Sequence, residues 1–139
     1  LRAHVIVIDT SAIAAIAFAE PERAPFLEAV RAAGRVLVAA PTLVEARIVV
    51  HARRGERGVV LLNGWLAAAP FETVAPGAAE ADAAHAAFVA YGRGSGHPAA
   101  LNFGDLFAYA LAKTRGLPLL YKGEDFATTD IEAAWRPAR

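Results

Sequence analysis

Four carboxylates stand at the end of a strand-like segment or in the first turn of a helix-like one. Asp9 ends the apolar run His4–Ile8, and Glu45 lies at the start of the helix expected after the second strand. Asp105 follows the glycine-rich loop, and Asp125 follows a later apolar run. Ligands of parallel α/β sheets bind at the carboxyl ends of the strands. Carboxylates gathered there repel one another unless a cation lies between them, so the pattern predicts a site for a hard divalent metal.

Each of these carboxylates also has a purely structural explanation. The segment Thr42–Glu45 matches a capping box, and Asn102 could cap the helix that holds Asp105 in a similar way. Asp9 could accept hydrogen bonds from amides at a helix start, and Glu124–Asp125 could be an exposed turn. Taken singly, each acid favours the structural explanation, but their shared place at one edge of the sheet favours a common metal site. The spacing alone leaves the reaction undefined.

The elements that must position these acids alternate between strands and helices. The expected strands cover 4–8, 36–40, 71–74 and 119–121, and a last one could begin at Ile131. The first helix is capped by Thr10 and Ser11 and stops near residue 20. Further helices cover 21–34, 41–54, 59–69, 78–91 and 103–116, with a turn at 55–58 and a flexible loop at 92–98. This alternation predicts a three-layer α/β/α fold with a mainly parallel central sheet, in one domain over 1–139.

Composition excludes several classes of site and of protein. The chain has no cysteine, which rules out disulfides and thiolate metal sites, and its four histidines lack the spacing of a zinc site. Acidic and basic residues balance at 14 each, so net charge does not indicate nucleic-acid binding. No apolar run approaches the ~20 residues of a membrane-spanning helix, and the run after residues 1–4 is too short for a signal peptide. We therefore expect a soluble cytoplasmic protein.

Four segments, taken in order, resemble a known family. They are Val-Ile-Asp-Thr-Ser-Ala at 7–12, a lone Glu45 in a Thr-x-x-Glu helix start, Asn-Phe-Gly-Asp-Leu-Phe-Ala-Tyr-Ala-Leu-Ala at 102–112, and Leu-Leu-Tyr-Lys-Gly-Glu-Asp-Phe-Ala-Thr-Thr-Asp-Ile at 119–131. Together they resemble the PIN-domain ribonucleases, and among these the VapC-type toxins of bacterial type II toxin–antitoxin systems. The resemblance runs from about residue 4 to residue 133, which is nearly the whole chain.

The resemblance implies an activity, a cofactor and partners. The implied activity is endonucleolytic hydrolysis of RNA that leaves a 5′-phosphate, with Mg²⁺ or Mn²⁺ as the cofactor and a cognate antitoxin as the inhibitor. A homodimer, or a toxin–antitoxin complex built on a dimer, is implied as well. The implied catalytic and metal-binding acids are Asp9, Glu45, Asp105 and Asp125, with the first and third as the principal metal ligands.

The fourth acid and two hydroxyls are assigned from the same resemblance. Asp125 is preferred to its neighbour Glu124 because the Asp-Phe pair recurs in the family, and Asp130 is a weaker substitute. Ser11 and Thr129 are expected to bond the carboxylates or water around the metal as supporting groups.

Basic and apolar helical positions have two explanations each. Arg47, Arg53, Arg54 and the loop at 92–97 are candidates for holding the RNA backbone, although a solvated helix face is the commoner reason for such a cluster. Apolar residues on two helices are first of all ordinary core. Under the resemblance, part of them could form a groove for an antitoxin helix and a homodimer interface: Ile13, Ile16, Ala17, Phe18, Val59, Val60, Leu62 and Leu66.

Two other functions compete with the nuclease interpretation. An aspartate-based phosphotransfer domain would need a second aspartate two residues after the first, or paired acids after the first strand, and Asp9-Thr10-Ser11 provides neither. A catalytically silent PIN-like binding module would usually have lost one of the four acids, and all four are present. The nuclease interpretation is therefore preferred to both.

Overall fold

Strands and helices alternate along the chain, and the computed structural model describes residues 4–138. The strands are β1 (His4–Ile8), β2 (Gly34–Ala39), β3 (Phe71–Val74) and β4 (Leu119–Leu120). The helices are α1 (Thr10–Ala17), α2 (Arg23–Ala33), α3 (Ala40–Ala68), α4 (Ala78–Tyr91) and α5 (Phe103–Arg115). Between residues 4 and 138, no helix combines the length and the apolar character that crossing a bilayer requires.

The four strands form one parallel sheet in the order β3-β2-β1-β4. Because successive residues of a strand point to opposite faces, Ile6 and Ile8 enter the core under α1, α2 and α3. Val7 and Leu37 enter a second core on the other face, which α4 and α5 cover. Burial on both faces explains why the strands are almost continuously apolar. The predicted three-layer α/β/α fold with a mainly parallel sheet is confirmed.

Several predicted boundaries were wrong. The turn expected at 55–58 is a single non-helical residue, Gly55, with φ 68° and ψ −168°, and α3 continues directly after it. The first helix ends at Ala17 rather than near residue 20, and β2 begins at Gly34 rather than at residue 36. The strand expected from Ile131 is reduced to one parallel bridge between Leu119 and Ala133, since β4 itself spans only two residues.

The connections bring four chain segments to the carboxyl edge of the sheet. The segments after β1 and β4 follow neighbouring strands, and α3 starts directly at the end of β2. The loop before α5 is closed at its base, where the Arg93 amide donates to the Leu101 carbonyl at 3.0 Å and the Leu101 amide donates to the Tyr91 carbonyl at 2.9 Å. The glycine-rich segment is thereby held as a closed loop beside the start of α5.

Candidate active site

Asp9 stands at the junction of β1 and α1 and caps the helix itself. Its Oδ2 accepts hydrogen bonds from the Ser11 amide at 3.0 Å and from the Ser11 hydroxyl at 2.6 Å. The prediction that Thr10 and Ser11 supply the cap was therefore wrong in position, since Asp9 is the N-cap and Thr10 is already helical. The backbone amide of Asp9 donates to the Leu120 carbonyl at 3.0 Å, so the main chain at Asp9 is held to β4 as well.

The second carboxylate oxygen of Asp9 is buried and has no hydrogen-bond partner within residues 4–138. The whole residue is only 2% exposed. The pKa of Asp9 is raised from 3.8 to about 7, chiefly by burial and to a smaller extent by the charges of Asp105 and Glu45, against the lowering effect of the hydrogen bonds from Ser11. An unpaired buried acceptor is costly in a folded protein, so this oxygen is available to bind a cation or an ordered water molecule.

Asp105 is the acid that links the others electrostatically. It lies in the first turn of α5, where the Asn102 amide donates to its Oδ2 at 2.9 Å and its own amide donates to Asn102 Oδ1 at 2.9 Å. The capping box considered for this pair is therefore formed, but it uses one carboxylate oxygen. Partial burial raises the pKa of Asp105, the Asn102 amide lowers it, and the charges of Asp125 and Glu45 raise it.

Glu45 is positioned by a contact between α3 and α5 rather than by a cap. The capping box considered for Thr42–Glu45 is absent, because α3 begins at Ala40 and no side chain caps it within the described residues. The Glu45 carboxylate lies against the backbone of Gly104, where an added Cβ would come within 2.8 Å of Glu45 Cδ and 2.9 Å of Oε1. Only glycine at this place allows the carboxylate to lie so close to the start of α5.

The three candidates for the fourth acid lie in different surroundings. Asp125 is exposed on the segment after β4, and its charge raises the pKa of Asp105. Asp130 is engaged elsewhere, because its carboxylate accepts hydrogen bonds from the Tyr109 hydroxyl at 2.5 Å and from Lys113 Nζ at 2.6 Å. Glu124 is exposed, and its charge acts on Tyr121. Of the three, Asp125 is the one whose charge acts on another candidate acid.

The two supporting hydroxyls have different surroundings. Ser11 Oγ donates to Asp9 and accepts a hydrogen bond from the Lys122 amide at 3.0 Å, so it connects the first acid to the segment that carries Asp125. Thr129 is turned toward its own loop, where its hydroxyl donates to the Phe126 carbonyl at 2.7 Å. In this structure Thr129 supports the loop rather than a carboxylate.

The predicted arginines are engaged away from the acids. Arg47 Nε donates to Asn63 Oδ1 at 3.0 Å, which joins two parts of α3 across the break at Gly55. The guanidinium groups of Arg53 and Arg54 lie over the ring of Phe18, 3.8 Å and 5.3 Å from its centroid. Cation–π contacts of this kind explain the cluster without RNA.

A different arginine lies close to the acids. Arg93 is exposed on the closed loop, and its positive charge lowers the pKa of Asp105. Sequence reasoning included the loop at 92–97 but did not single out Arg93. The signal available in the sequence was its place at the start of the glycine-rich segment that leads directly into Asn102 and Asp105.

The donor set fits a hard divalent cation that keeps part of its water. All four acids offer carboxylate oxygens, and Asp9 has a buried oxygen without a partner. Within residues 4–138, no three histidine or carboxylate side chains are close enough to hold one ion together. A cation here would be bound by one or two carboxylates at a time, with water completing its shell, as is common for Mg²⁺. The charges of neighbouring acids raise the pKa values of Asp9 and Asp105, but the four side chains do not form a closed set of four metal ligands.

Comparison with known proteins identifies the family. The family model of the PIN domain matches residues 6–132, nearly the whole chain. The chain belongs to the PIN-domain family. This confirms the resemblance seen in the sequence, and it agrees with a parallel sheet whose carboxyl edge carries the acids.

Relatives of this PIN domain include several VapC proteins. VapC ribonuclease Mb0640 of Mycobacterium bovis and ribonuclease VapC30 of Mycobacterium tuberculosis are each 46% identical over 132 residues, which is 95% of this chain and 100% of each relative. Among solved structures, Mycobacterium tuberculosis VapC20, described as a sarcin-ricin loop cleaving toxin, aligns with a TM-score of 0.76 at 18% identity over 95% of this chain and 99% of its own. VapBC2 of Rickettsia felis, bound to a promoter DNA fragment, aligns with a TM-score of 0.74 at 12% identity, over 93% of this chain and 96% of its own. These two structural likenesses show the fold.

Proposed function

We propose that this PIN domain is a divalent-metal-dependent endoribonuclease that acts as the toxin of a toxin–antitoxin pair. The observation that carries the proposal is the buried oxygen of Asp9, which has no partner within residues 4–138 and whose carboxylate lies within reach of the charges of Asp105 and Glu45. The 46% identity to VapC ribonucleases over nearly the whole chain supports RNA as the substrate. Because its substrate would be cellular RNA, we place its action in the cytoplasm.

The roles of the acids follow from their surroundings. Asp9 and Asp105 would hold Mg²⁺ or Mn²⁺, because both are at least partly buried and both have raised pKa values. When bound, the cation would supply polarisation of the phosphoryl group and neutralisation of the leaving oxygen. Glu45 or Asp125 would orient a water molecule for in-line attack and accept its proton, leaving a 5′-phosphate. Ser11 would keep Asp9 in its orientation through its two hydrogen bonds.

The basic side chains would contact the RNA backbone. Arg93 is the best placed, since it is exposed and its charge reaches Asp105. Arg47, Arg53 and Arg54 would have to leave their contacts with Asn63 and Phe18 before binding phosphate. We therefore assign the RNA backbone first to Arg93 and its loop, and only second to the arginines of α3.

The nuclease activity is tested by incubating purified protein, free of antitoxin, with a panel of structured RNAs. We expect discrete cuts with Mg²⁺ or Mn²⁺, products with 5′-phosphate ends, and no cutting in EDTA. Comparing the two metals at equal concentration shows which one supports the faster reaction. Cutting that persists in EDTA would contradict the role of the cation. Well-folded protein that cuts no RNA with either metal would favour the silent binding module.

An apolar groove supports the assignment of an antitoxin partner. It has a volume of about 450 Å³ and lies between α1, α2 and α3, with Ile16, Leu61, Leu62 and Trp65 in its wall and the cations of Arg23 and Arg54 beside them. Of the apolar residues predicted for this surface, Ile13, Ile16 and Leu62 are buried in the core, whereas Val60 is 64% exposed. We propose that an amphipathic antitoxin helix with acidic flanks lies in this groove.

Replacing Leu61 by lysine tests the groove. Leu61 is 69% exposed, so the variant should fold and cut RNA normally. A charge facing the apolar side of a bound helix should weaken inhibition by the cognate antitoxin at least about 10-fold, because burying an unpaired charge is costly. Val60→Lys is the matched control, since Val60 is similarly exposed but does not line the groove. Equal inhibition of L61K, V60K and the unmodified protein would place the antitoxin elsewhere.

We also propose that the isolated protein forms a homodimer. Val44 and Ile48 are 54% and 63% exposed and lie one turn apart on α3, outside the groove. A second copy of the chain would remove this apolar surface from water. Sedimentation velocity over a range of concentrations tests this, and a monomer at every concentration would contradict it.

A further inference from the structure

Phe103 is the most exposed large apolar side chain among those that the structure describes. It is 78% exposed and forms the first residue of α5. The next residue, Gly104, lies against the Glu45 carboxylate, and the one after that is Asp105. A single exposed apolar residue is ordinary on a protein surface. What distinguishes Phe103 is that it shares one helical turn with an acid and with a backbone contact of the candidate active site.

The ring of Phe103 packs against one aromatic neighbour on its own helix. It meets Phe107, one turn further along α5, edge to face, with centroids 5.0 Å apart and an interplanar angle of 83°. This contact restricts the ring while most of its surface remains in water. A restrained aromatic ring loses little conformational freedom when a flat partner binds to it, which makes it a suitable stacking surface.

The charges around Phe103 favour a nucleotide as that flat partner. The acids nearby provide a place for a cation, and a cation binds phosphate oxygens. Arg93 is exposed close to Asp105 and makes no ion pair within the part of the chain that the structure describes. A phosphate held between the metal and Arg93 would bring its own or a neighbouring base toward the start of α5.

We propose that Phe103 stacks on the face of a nucleobase beside the phosphate that is cut. In a duplex the base faces are covered by their neighbours, whereas in loops the bases can be splayed out and stacked on aromatic side chains. Phe103 is therefore a positioning residue for the scissile phosphate. This inference rests on the proposed nuclease function and assigns a substrate-positioning residue to it.

The test compares Phe103→Leu with Phe103→Trp on the RNA that the unmodified protein cuts best. Leucine keeps an apolar side chain but removes the aromatic face, so kcat/KM should fall about 10-fold, mainly through KM. Tryptophan keeps the face, so its kcat/KM should equal or exceed that of the unmodified protein. Both variants should melt at the temperature of the unmodified protein, because the side chain is mostly exposed.

A second arm removes the base rather than the side chain. Abasic nucleotides are placed in turn on each side of the scissile phosphate, and one of them should lower kcat/KM about 10-fold for the unmodified protein. The same abasic RNA should lower kcat/KM of Phe103→Leu little further, because the aromatic stacking partner has already been removed. Such non-additivity identifies a direct contact between the two groups.

The outcomes separate this inference from the proposed function. Cleavage by Phe103→Leu at the rate of the unmodified protein would overturn stacking while leaving the nuclease function intact. An equal fall in kcat/KM with the abasic RNA in the unmodified protein and in Phe103→Leu would overturn stacking as well. A variant that cuts the oligonucleotide normally but changes oligomeric state or antitoxin affinity would assign Phe103 to a protein interface. If the unmodified protein cuts no RNA, the proposed function falls and this inference with it.

Discussion

Replacing Asp9 by asparagine should abolish RNA cleavage and should also make the metal-free protein more stable at pH 7.5. The loss of activity follows from the loss of a charged ligand, because an amide cannot neutralise a divalent cation as a carboxylate does. Transition-state stabilisation by a metal amounts to several kcal/mol, so we expect a decrease of at least about 100-fold in kcat/KM. Asp82→Asn is the matched control, since it removes an exposed carboxylate on α4.

The gain in stability follows from the raised pKa of Asp9. Burial raises this pKa to about 7 in the folded protein, from 3.8 in an unperturbed chain. At a pH between these two pKa values, Asp9 is protonated in the folded state and ionised in the unfolded state. The free energy of unfolding therefore falls as pH rises from about 4 to about 7. Each tenfold difference in proton affinity corresponds to about 1.4 kcal/mol, so the decline contributed by Asp9 is on the order of 4 kcal/mol. Because asparagine does not ionise, the Asp9→Asn variant should not show this decline in stability.

Urea unfolding at pH 4, 5.5 and 7.5 measures both effects, first in EDTA and then with Mg²⁺ or Mn²⁺. In EDTA the variant should overtake the unmodified protein in stability as pH rises. With metal at 100 times its dissociation constant, the unmodified protein should gain about 2.7 kcal/mol, and the variant should gain less. A variant that cleaves RNA at the normal rate, or that is stabilised equally by the metal, would show that Asp9 is not a ligand.

Replacing Gly104 by alanine should lower cleavage without lowering stability. Gly104 lies in the first turn of α5, and its φ is not in the left-handed region, so alanine is acceptable to the backbone and favoured in a helix. The added Cβ would come within 2.8 Å of Glu45 Cδ, so the carboxylate must move away from α5. Because Glu45 is a flexible side chain, this movement costs little folding free energy, but it displaces a proposed catalytic group.

We expect kcat/KM for Gly104→Ala to fall about 10- to 100-fold, since a displacement of about 1 Å in an active site can cost that much. The melting temperature should be unchanged or slightly higher. Gly64→Ala is the matched control, because Gly64 is also helical and nothing lies within 4 Å of its added Cβ. Full activity in Gly104→Ala would mean that the position of Glu45 against α5 does not matter. A large loss of stability would mean that the contact is structural.

The sequence by itself determined the fold class and singled out the candidate acids. Strand and helix periodicities depend on residues only a few positions apart, and they predicted the parallel sheet, the three layers and most element boundaries to within a few residues. The order of the four motifs indicated the PIN family and singled out Asp9, Glu45, Asp105 and Asp125. These features are local or depend on order along the chain, so they can be read without knowing which helices touch.

Only the tertiary structure decided how those residues are used. The Thr42–Glu45 segment has the local pattern of a capping box, but Glu45 lies instead against Gly104, which is 59 positions away in the chain. Arg93 lies near Asp105 because the loop before α5 is closed by hydrogen bonds, whereas Arg53 packs over Phe18, the residue that follows α1. The physical reason is the same in each case. Packing between distant segments decides which charged group is buried, which is paired and which is left for a ligand, and no spacing along the chain encodes that choice.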